Sequence, residues 1–175
     1  MAQFFSGFSL KDEAYLFQPY IKNSEYAVCG FSYGAIKAFE AVQQSLKESK
    51  RVDTLQLFSP AFFQTKDEKF KRLQLMSYKK NKEVYLQNFL DSCFAPYEKK
   101  IVKTNDTDTI DDLQTLLEYE WDLESLQKIV DAGVVIEVYL GFEDKIIDPH
   151  GAYQFFRQVA NVTSIKRANH FLQMN

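Results

Sequence analysis

Tyr26-Ala27-Val28-Cys29-Gly30-Phe31-Ser32-Tyr33-Gly34-Ala35-Ile36-Lys37-Ala38 is the stretch on which the reading of this chain turns. The apolar run before Gly30 has the length and content of a buried strand. From Ala35 onward the apolar residues fall at helical spacing: Ala35, Ile36, Ala38, Phe39, Val42 and Leu46 mark one helix face. Gly30-x-Ser32-x-Gly34 lies between them. A strand that turns into a helix within so few residues holds the central serine in a strained backbone conformation, and a side chain at either glycine would collide with a neighbouring strand or helix. The serine hydroxyl is then presented at a helix N-terminus, where the helix dipole favours developing negative charge. Ser32 is therefore the candidate nucleophile.

Outward from this junction, strand-like and helical runs alternate. Gln3-Phe4-Phe5 is a short apolar start closed by Ser6-Gly7, and residues 10–21 read as a helix with Ser9 as its N-cap. Residues 52–58 are strand-like and end at Ser59-Pro60. From about 61 to 132 the pattern is helical throughout, in about four pieces. Phe70, Leu73 and Met76 repeat at helical spacing, as do Leu86, Leu90 and Cys93. Thr109 and Asp112 fit a capping box ahead of Leu113, Leu116 and Leu117. Leu123, Leu126, Ile129 and Val130 precede Gly133, a C-terminal helix stop. Strand character returns at 134–140, ended by Gly141; residues 149–159 read as a helix with Pro149 near its first turn, and 162–166 as a last strand. Such alternation implies an α/β fold, a mostly parallel sheet with flanking helices. The expected organisation is one domain over 1–175, with a helical lid inserted at about 61–132.

A nucleophilic serine needs a base and an acid. The chain has two histidines, His150 and His170. His170 follows the last strand, where a loop can return a side chain to the strand ends, close to the chain terminus. His150 lies early in a helix and reads as an exposed residue. Gly141-Phe142-Glu143-Asp144 directly follows a strong strand, which puts Asp144 in the turn at its carboxyl end. Asp148 is the rival acid, although its place before Pro149 suits an N-cap; Glu143 is expected to point elsewhere. Ser32, Asp144 and His170 then stand in an order that supports acyl transfer, with the serine attacking, the histidine moving its proton and the aspartate orienting the imidazole. The oxyanion donors are expected to be the backbone N–H of Tyr33, after the nucleophile, and that of Phe8, where Gly7 allows an unusual backbone angle.

The 175 residues suit one domain, and 46% hydrophobic content supplies a core. The net charge of −3 argues against a dedicated nucleic-acid binder. Cys29 and Cys93 lie in apolar runs without C-x-x-C or metal spacing, so buried reduced thiols are expected rather than a disulfide framework or a zinc site. The opening MAQFFSGFSLKDE lacks the basic and apolar regions of a signal peptide, and no stretch is long and apolar enough to span a bilayer. A cytoplasmic protein that needs no metal or organic cofactor is expected. Lys66, Lys69, Lys71, Arg72, Lys79, Lys80 and Lys82 cluster at the start of the lid, opposed only by Asp67 and Glu68. Such a face suits an acidic partner.

Taken together, the Ser6-Gly7-Phe8 loop, the Gly30-to-Gly34 elbow, the helical lid, Asp144 and His170 resemble the α/β-hydrolases over nearly the whole chain. Phe4-Phe5-Ser6-Gly7-Phe8, Gly30-Phe31-Ser32-Tyr33-Gly34-Ala35-Ile36-Lys37-Ala38 and Phe70-Lys71-Arg72-Leu73-Gln74-Leu75 look like the short pimeloyl-acyl carrier protein methyl ester esterases of biotin synthesis, the BioV and BioG type. The resemblance implies a reduced α/β-hydrolase fold and cleavage of that methyl ester to release methanol. It also implies an acyl carrier protein as partner, seated on Lys69, Arg72, Lys79 and Lys80. Ser6-Gly7 stands where larger hydrolases carry His-Gly, and no further strands precede Gln3, which implies a smaller sheet. A general small-acyl carboxylesterase or thioesterase, and a non-catalytic binding protein with a poorly anchored His170, remain open at this point.

Overall fold

The computed structural model describes the whole chain, Met1–Asn175. The chain begins with β1 (Gln3–Phe5), β2 (Leu10–Lys11), a 3-10 turn at Glu13–Phe17, β3 (Ala27–Phe31), α1 (Tyr33–Lys47) and β4 (Thr54–Phe58). It continues through α2 (Glu68–Lys80), α3 (Lys82–Phe94), β5 (Lys103–Thr104), α4 (Ile110–Glu118) and α5 (Leu123–Asp131), and ends with β6 (Val135–Gly141), α6 (Pro149–Phe156) and β7 (Asn161–Ile165). Five strands form one sheet in the order β1-β3-β4-β6-β7. All four pairings are parallel. Parallel neighbours need long crossovers, and the helical segments between the strands supply them. The small antiparallel pair of β2 with β5 stands apart.

Strand alternation divides the core. Val28, Leu55, Leu57, Ile136, Val138 and Leu140 face one way, onto Ile36, Phe39 and Val42 of α1, Leu126 and Ile129 of α5, and Phe156 of α6. Cys29, Phe31 and Phe58 face the other way, onto Leu10, Phe17, Phe94, Phe171 and Leu172. The first face is covered by helices. The second is covered by the 3-10 turn, the end of α3 and the chain terminus, in an aromatic cluster with Phe17 stacked 4.9 Å from Phe58 and Phe94 4.5 Å from Phe171. Buried aromatic pairs of this kind add about 1 kcal/mol each beyond their area.

Two expectations from the sequence need correction. Residues 10–21 are not one helix: Leu10 and Lys11 pair with Thr104 and Lys103, Asp12 takes a left-handed φ of 64°, and only Glu13–Phe17 coils, as a 3-10 turn. Strand pairing with a distant segment and the left-handed Asp12 interrupt the helical period, and Ser9, at φ 56°, is not an N-cap. The segment 61–132 is not helical throughout either. Residues 61–67 and 95–109 contain no helix. Pro96, in a cis Ala95–Pro96 bond, and the β2–β5 pairing occupy the second gap. The four helices do form where the apolar periodicity runs, with Asp67, Asn81, Thr109 and Asp122 as side-chain N-caps and the Thr109/Asp112 capping box in place. Leu73 and Met76, at core spacing in α2, are instead exposed.

Candidate active site

β3 runs into the elbow. Ser32 sits between strand and helix at φ 54°, ψ −116°, a left-handed backbone at a non-glycine residue. Its N–H donates to the Phe58 carbonyl at 3.0 Å, and its carbonyl accepts from the N–H groups of Ala35 and Ala61. These bonds hold a conformation that costs on the order of 1–3 kcal/mol. The glycines follow from contact. A Cβ on Gly30 would strike the Gly34 carbonyl, and one on Gly34 would strike the Phe5 carbonyl in β1. α1 is thereby drawn against the sheet with its N-terminus under Ser32.

The structure brings Ser32, His170 and Asp144 together, from three separate strand ends. Ser32 Oγ lies 3.0 Å from His170 Nε2. His170 Nδ1 lies 2.6 Å from Asp144 Oδ2. A carboxylate only accepts, so Nδ1–H donates to Asp144 and Nε2 is left to accept the serine proton. All three are buried, His170 completely. Asp144 is fixed in its turn by the N–H groups of Ile146 and Ile147, which donate to Oδ1.

His170 is firmly anchored, contrary to its expected place near a loose terminus. Asn169 Nδ2 donates to the Phe94 carbonyl and to Gln173 Oε1, and Asn169 Oδ1 accepts from the N–H groups of Phe171 and Gln173. Ser59 Oγ–H donates to the His170 carbonyl at 2.7 Å. A Cβ on Gly141 would strike the Ala168 and Asn169 carbonyls, so the end of β6 packs directly under this corner. Asn169 and Ser59 carry no mark in the sequence beyond the adjacency of Asn169 to His170.

Tyr33 follows the serine directly, and the Phe8 ring lies 6.3 Å from the Tyr33 ring. Tyr33 opens α1, so its N–H has no intrahelical partner. The Phe8 N–H has no acceptor, while its neighbours do: Gly7 N–H donates to Glu13 Oε1 at 2.7 Å and Ser9 N–H to Asp108 Oδ2 at 2.6 Å. The unusual backbone angle falls at Ser9, not at Gly7. Gly7 is needed for space instead, since a Cβ there would lie 2.8 Å from the Phe31 ring. Tyr33 Oη–H donates to Asp112 Oδ1 at 3.0 Å, and burial, then this carboxylate, push the phenol well above its ordinary range.

The rivals have other employment. Asp148 caps α6, accepting from Gly151 N–H, and also accepts from Thr65 Oγ–H at 2.6 Å. Glu143 points to Lys145 at 3.8 Å. His150 is exposed, its ring tilted against Phe142 with centroids 4.4 Å apart. Both cysteines are free and buried, with burial pushing the Cys29 thiol up to about 12. No group of three or more His, Cys, Asp or Glu side chains is placed to hold a metal ion. No helix is long and apolar enough to cross a membrane.

A mostly apolar cavity of about 220 Å³ reaches Phe8 and Ile146, although Ser32, Asp144 and His170 do not themselves line it. Phe8, from the loop after β1, and Ile146, whose N–H donates to Asp144, line it together with Phe63, Phe89, Leu113 and Leu117. Tyr85 and Asn88 also line a second, more open depression that reaches Lys80. On α2, Lys69, Arg72, Leu73, Met76, Lys79 and Lys80 are all exposed and fall on one stripe. Lys71 is half-buried instead and lies 3.5 Å from Glu68.

No family model and no curated protein matches the sequence. Solved structures match by fold. A hydrolase from Oleispira antarctica superposes at a TM-score of 0.69, with 10% identity, over 99% of this chain and 85% of its own. The esterase EaEST from Exiguobacterium antarcticum gives 0.59 at 16% identity, over 89% and 63%. BioG from Haemophilus influenzae gives 0.57 at 12% identity, over 98% and 88%. The chain spans little more than half, 54%, of other structures it matches. The fold is that of the α/β-hydrolases.

Proposed function

We propose that this protein is a serine esterase that hydrolyses the methyl ester of pimeloyl-acyl carrier protein. The observation that carries the hydrolytic reading is the buried contact chain from Ser32 Oγ through His170 to Asp144. In this reading Ser32 Oγ attacks the ester carbon as His170 Nε2 takes its proton. The oxyanion meets the N–H groups of Tyr33 and Phe8. On collapse, His170 returns the proton to the departing methoxide, giving methanol and an acyl-enzyme. Water, deprotonated by His170, then releases the carboxylate and restores Ser32.

Three features support the carrier-linked substrate. The first is the resemblance of the opening, elbow and α2 segments to the BioV and BioG type, with the fold likeness to BioG beside it. The second is the apolar cavity, lined by helices of the insertion, which serves here as a lid over an acyl chain. The third is the α2 stripe, where exposed Leu73 and Met76 lie among Lys69, Arg72, Lys79 and Lys80. Acyl carrier proteins are acidic, and such a stripe offers them charge complementarity with an apolar centre.

The test is turnover of two substrates, pimeloyl-acyl carrier protein methyl ester and methyl pimelate alone. A kcat/KM at least about 100-fold higher on the carrier-bound ester is expected, the worth of about 2.7 kcal/mol of added contact. Equal turnover of both would replace this reading with a general small-acyl esterase.

A further inference from the structure

The geometry points to Glu13 and Asp108 as a pair of positioning residues that hold the Phe8 N–H in place for the oxyanion, a role that rests on the hydrolytic reading above. The loop at 6–9 joins two short strands and carries no regular structure of its own. Two buried bonds fix it, one on each side of Phe8: Gly7 N–H to Glu13 Oε1, and Ser9 N–H to Asp108 Oδ2. The middle N–H is left without an acceptor although Phe8 is only 2% exposed. Buried donors are satisfied almost everywhere in proteins, so a loop that ties down the two outer N–H groups and leaves the central one open is built to receive an acceptor from outside.

The two carboxylates are unusual in themselves. Glu13 is fully buried, forms no ion pair, and its Oε2 has no hydrogen-bond partner. A buried acid with no ion pair and one oxygen unpartnered is costly, and its one bond goes to the loop at Gly7. Asp108 reaches the loop from a point 99 residues away in sequence, at the entry to α4, with Lys37 Nζ 3.8 Å from its other oxygen. The same entry carries Asp112, which accepts from the Tyr33 hydroxyl. The residues that bear both oxyanion donors, Phe8 and Tyr33, are thus tied to one end of α4. Lid and oxyanion hole are mechanically one unit.

The conservative variants keep an acceptor and the disruptive ones remove it. Glu13→Gln and Asp108→Asn retain a carbonyl oxygen for Gly7 and Ser9; Glu13→Leu and Asp108→Ala do not. Each is assayed on p-nitrophenyl butyrate, with active sites counted by fluorophosphonate titration so that misfolded protein does not enter kcat. Binding of an alkyl trifluoromethyl ketone, whose hemiketal oxyanion fills the hole, is measured beside it. Glu13→Leu and Asp108→Ala should each lower kcat per active site by about 100-fold and weaken the ketone to match, with KM changed less than about threefold. Glu13→Gln and Asp108→Asn should stay within about fivefold of wild type on both measures. Should Glu13→Leu fail to fold, Asp108→Ala carries the test, since Asp108, unlike Glu13, faces a lysine, Lys37, and is not completely buried. Unchanged kcat and ketone affinity in the disruptive variants overturns the positioning role. So does an equal loss in the conservative ones. Wild-type protein that neither titrates nor turns over the ester would instead refute the hydrolytic reading, and this role with it.

Discussion

Ser32 pays for its exposure to chemistry with a left-handed backbone, and the bonds to Phe58, Ala35 and Ala61 hold it there. Replacing the hydroxyl leaves that scaffold intact, so Ser32→Ala is expected to fold normally and to lose turnover by a factor on the order of 10⁶. Asp144→Asn should cost on the order of 10⁴, because the amide no longer enforces the tautomer that frees Nε2. Steady-state assays on active, folded protein check both. Glu13 gives a prediction in stability rather than rate. Burial holds its carboxyl above the ordinary 4.5. The folded chain therefore keeps a proton that the unfolded chain has released, and folding stability from this group falls as pH rises above about 4.5. Glu13→Gln removes that loss, so its Tm relative to wild type should rise from pH 4 to pH 7; the same difference at both pH values would contradict it. The three side chains of the candidate site, Ser32, Asp144 and His170, could each be named from the sequence, because a glycine-flanked serine and an acid directly after a strand leave local marks. Glu13 and Asp108 leave none, since each acts on a backbone N–H that no side-chain pattern records.

Among the elements, the corner at 168–173 does the most to place His170. Asn169 alone makes four side-chain hydrogen bonds, one to the end of α3 at Phe94 and three within the corner to Phe171 and Gln173. At about 1 kcal/mol each and partly shared, Asn169→Ala should cost about 2–4 kcal/mol in denaturant unfolding, with activity falling in parallel as His170 drifts. A loss under about 0.5 kcal/mol would show that the corner is held by packing alone. The parallel strands and α1 could be read from apolar runs, and the capping residues of α4 and α6 from their own chemistry. The span 10–21 could not. Its apolar residues fall at spacing that suits a helix, but pairing of Leu10 and Lys11 with residues near 104 overrides it, and nothing local announces that partner. The periodicity of Phe70, Leu73 and Met76 likewise located α2 correctly but not its buried side: Phe70 packs inward while Leu73 and Met76 face solvent.

Over the whole molecule, a chain of net charge −3 carries one basic and apolar stripe, on α2, above the cavity that meets the Phe8 loop. Exposed charges act through steering and are screened by salt. Arg72→Glu combined with Lys80→Glu should therefore raise KM for a carrier-bound ester by about tenfold or more, while a small ester is unaffected, and the difference should shrink at about 1 M salt. Equal loss on both substrates would move the docking surface elsewhere. Whether Ser32 is a nucleophile activated by His170 is tested by intact-mass analysis after treatment with a fluorophosphonate. A single adduct is expected on wild-type protein, mapped to Ser32, and none on Ser32→Ala or, on the same timescale, His170→Ala. Wild-type protein that takes up no label, or takes it up at another residue, would contradict it.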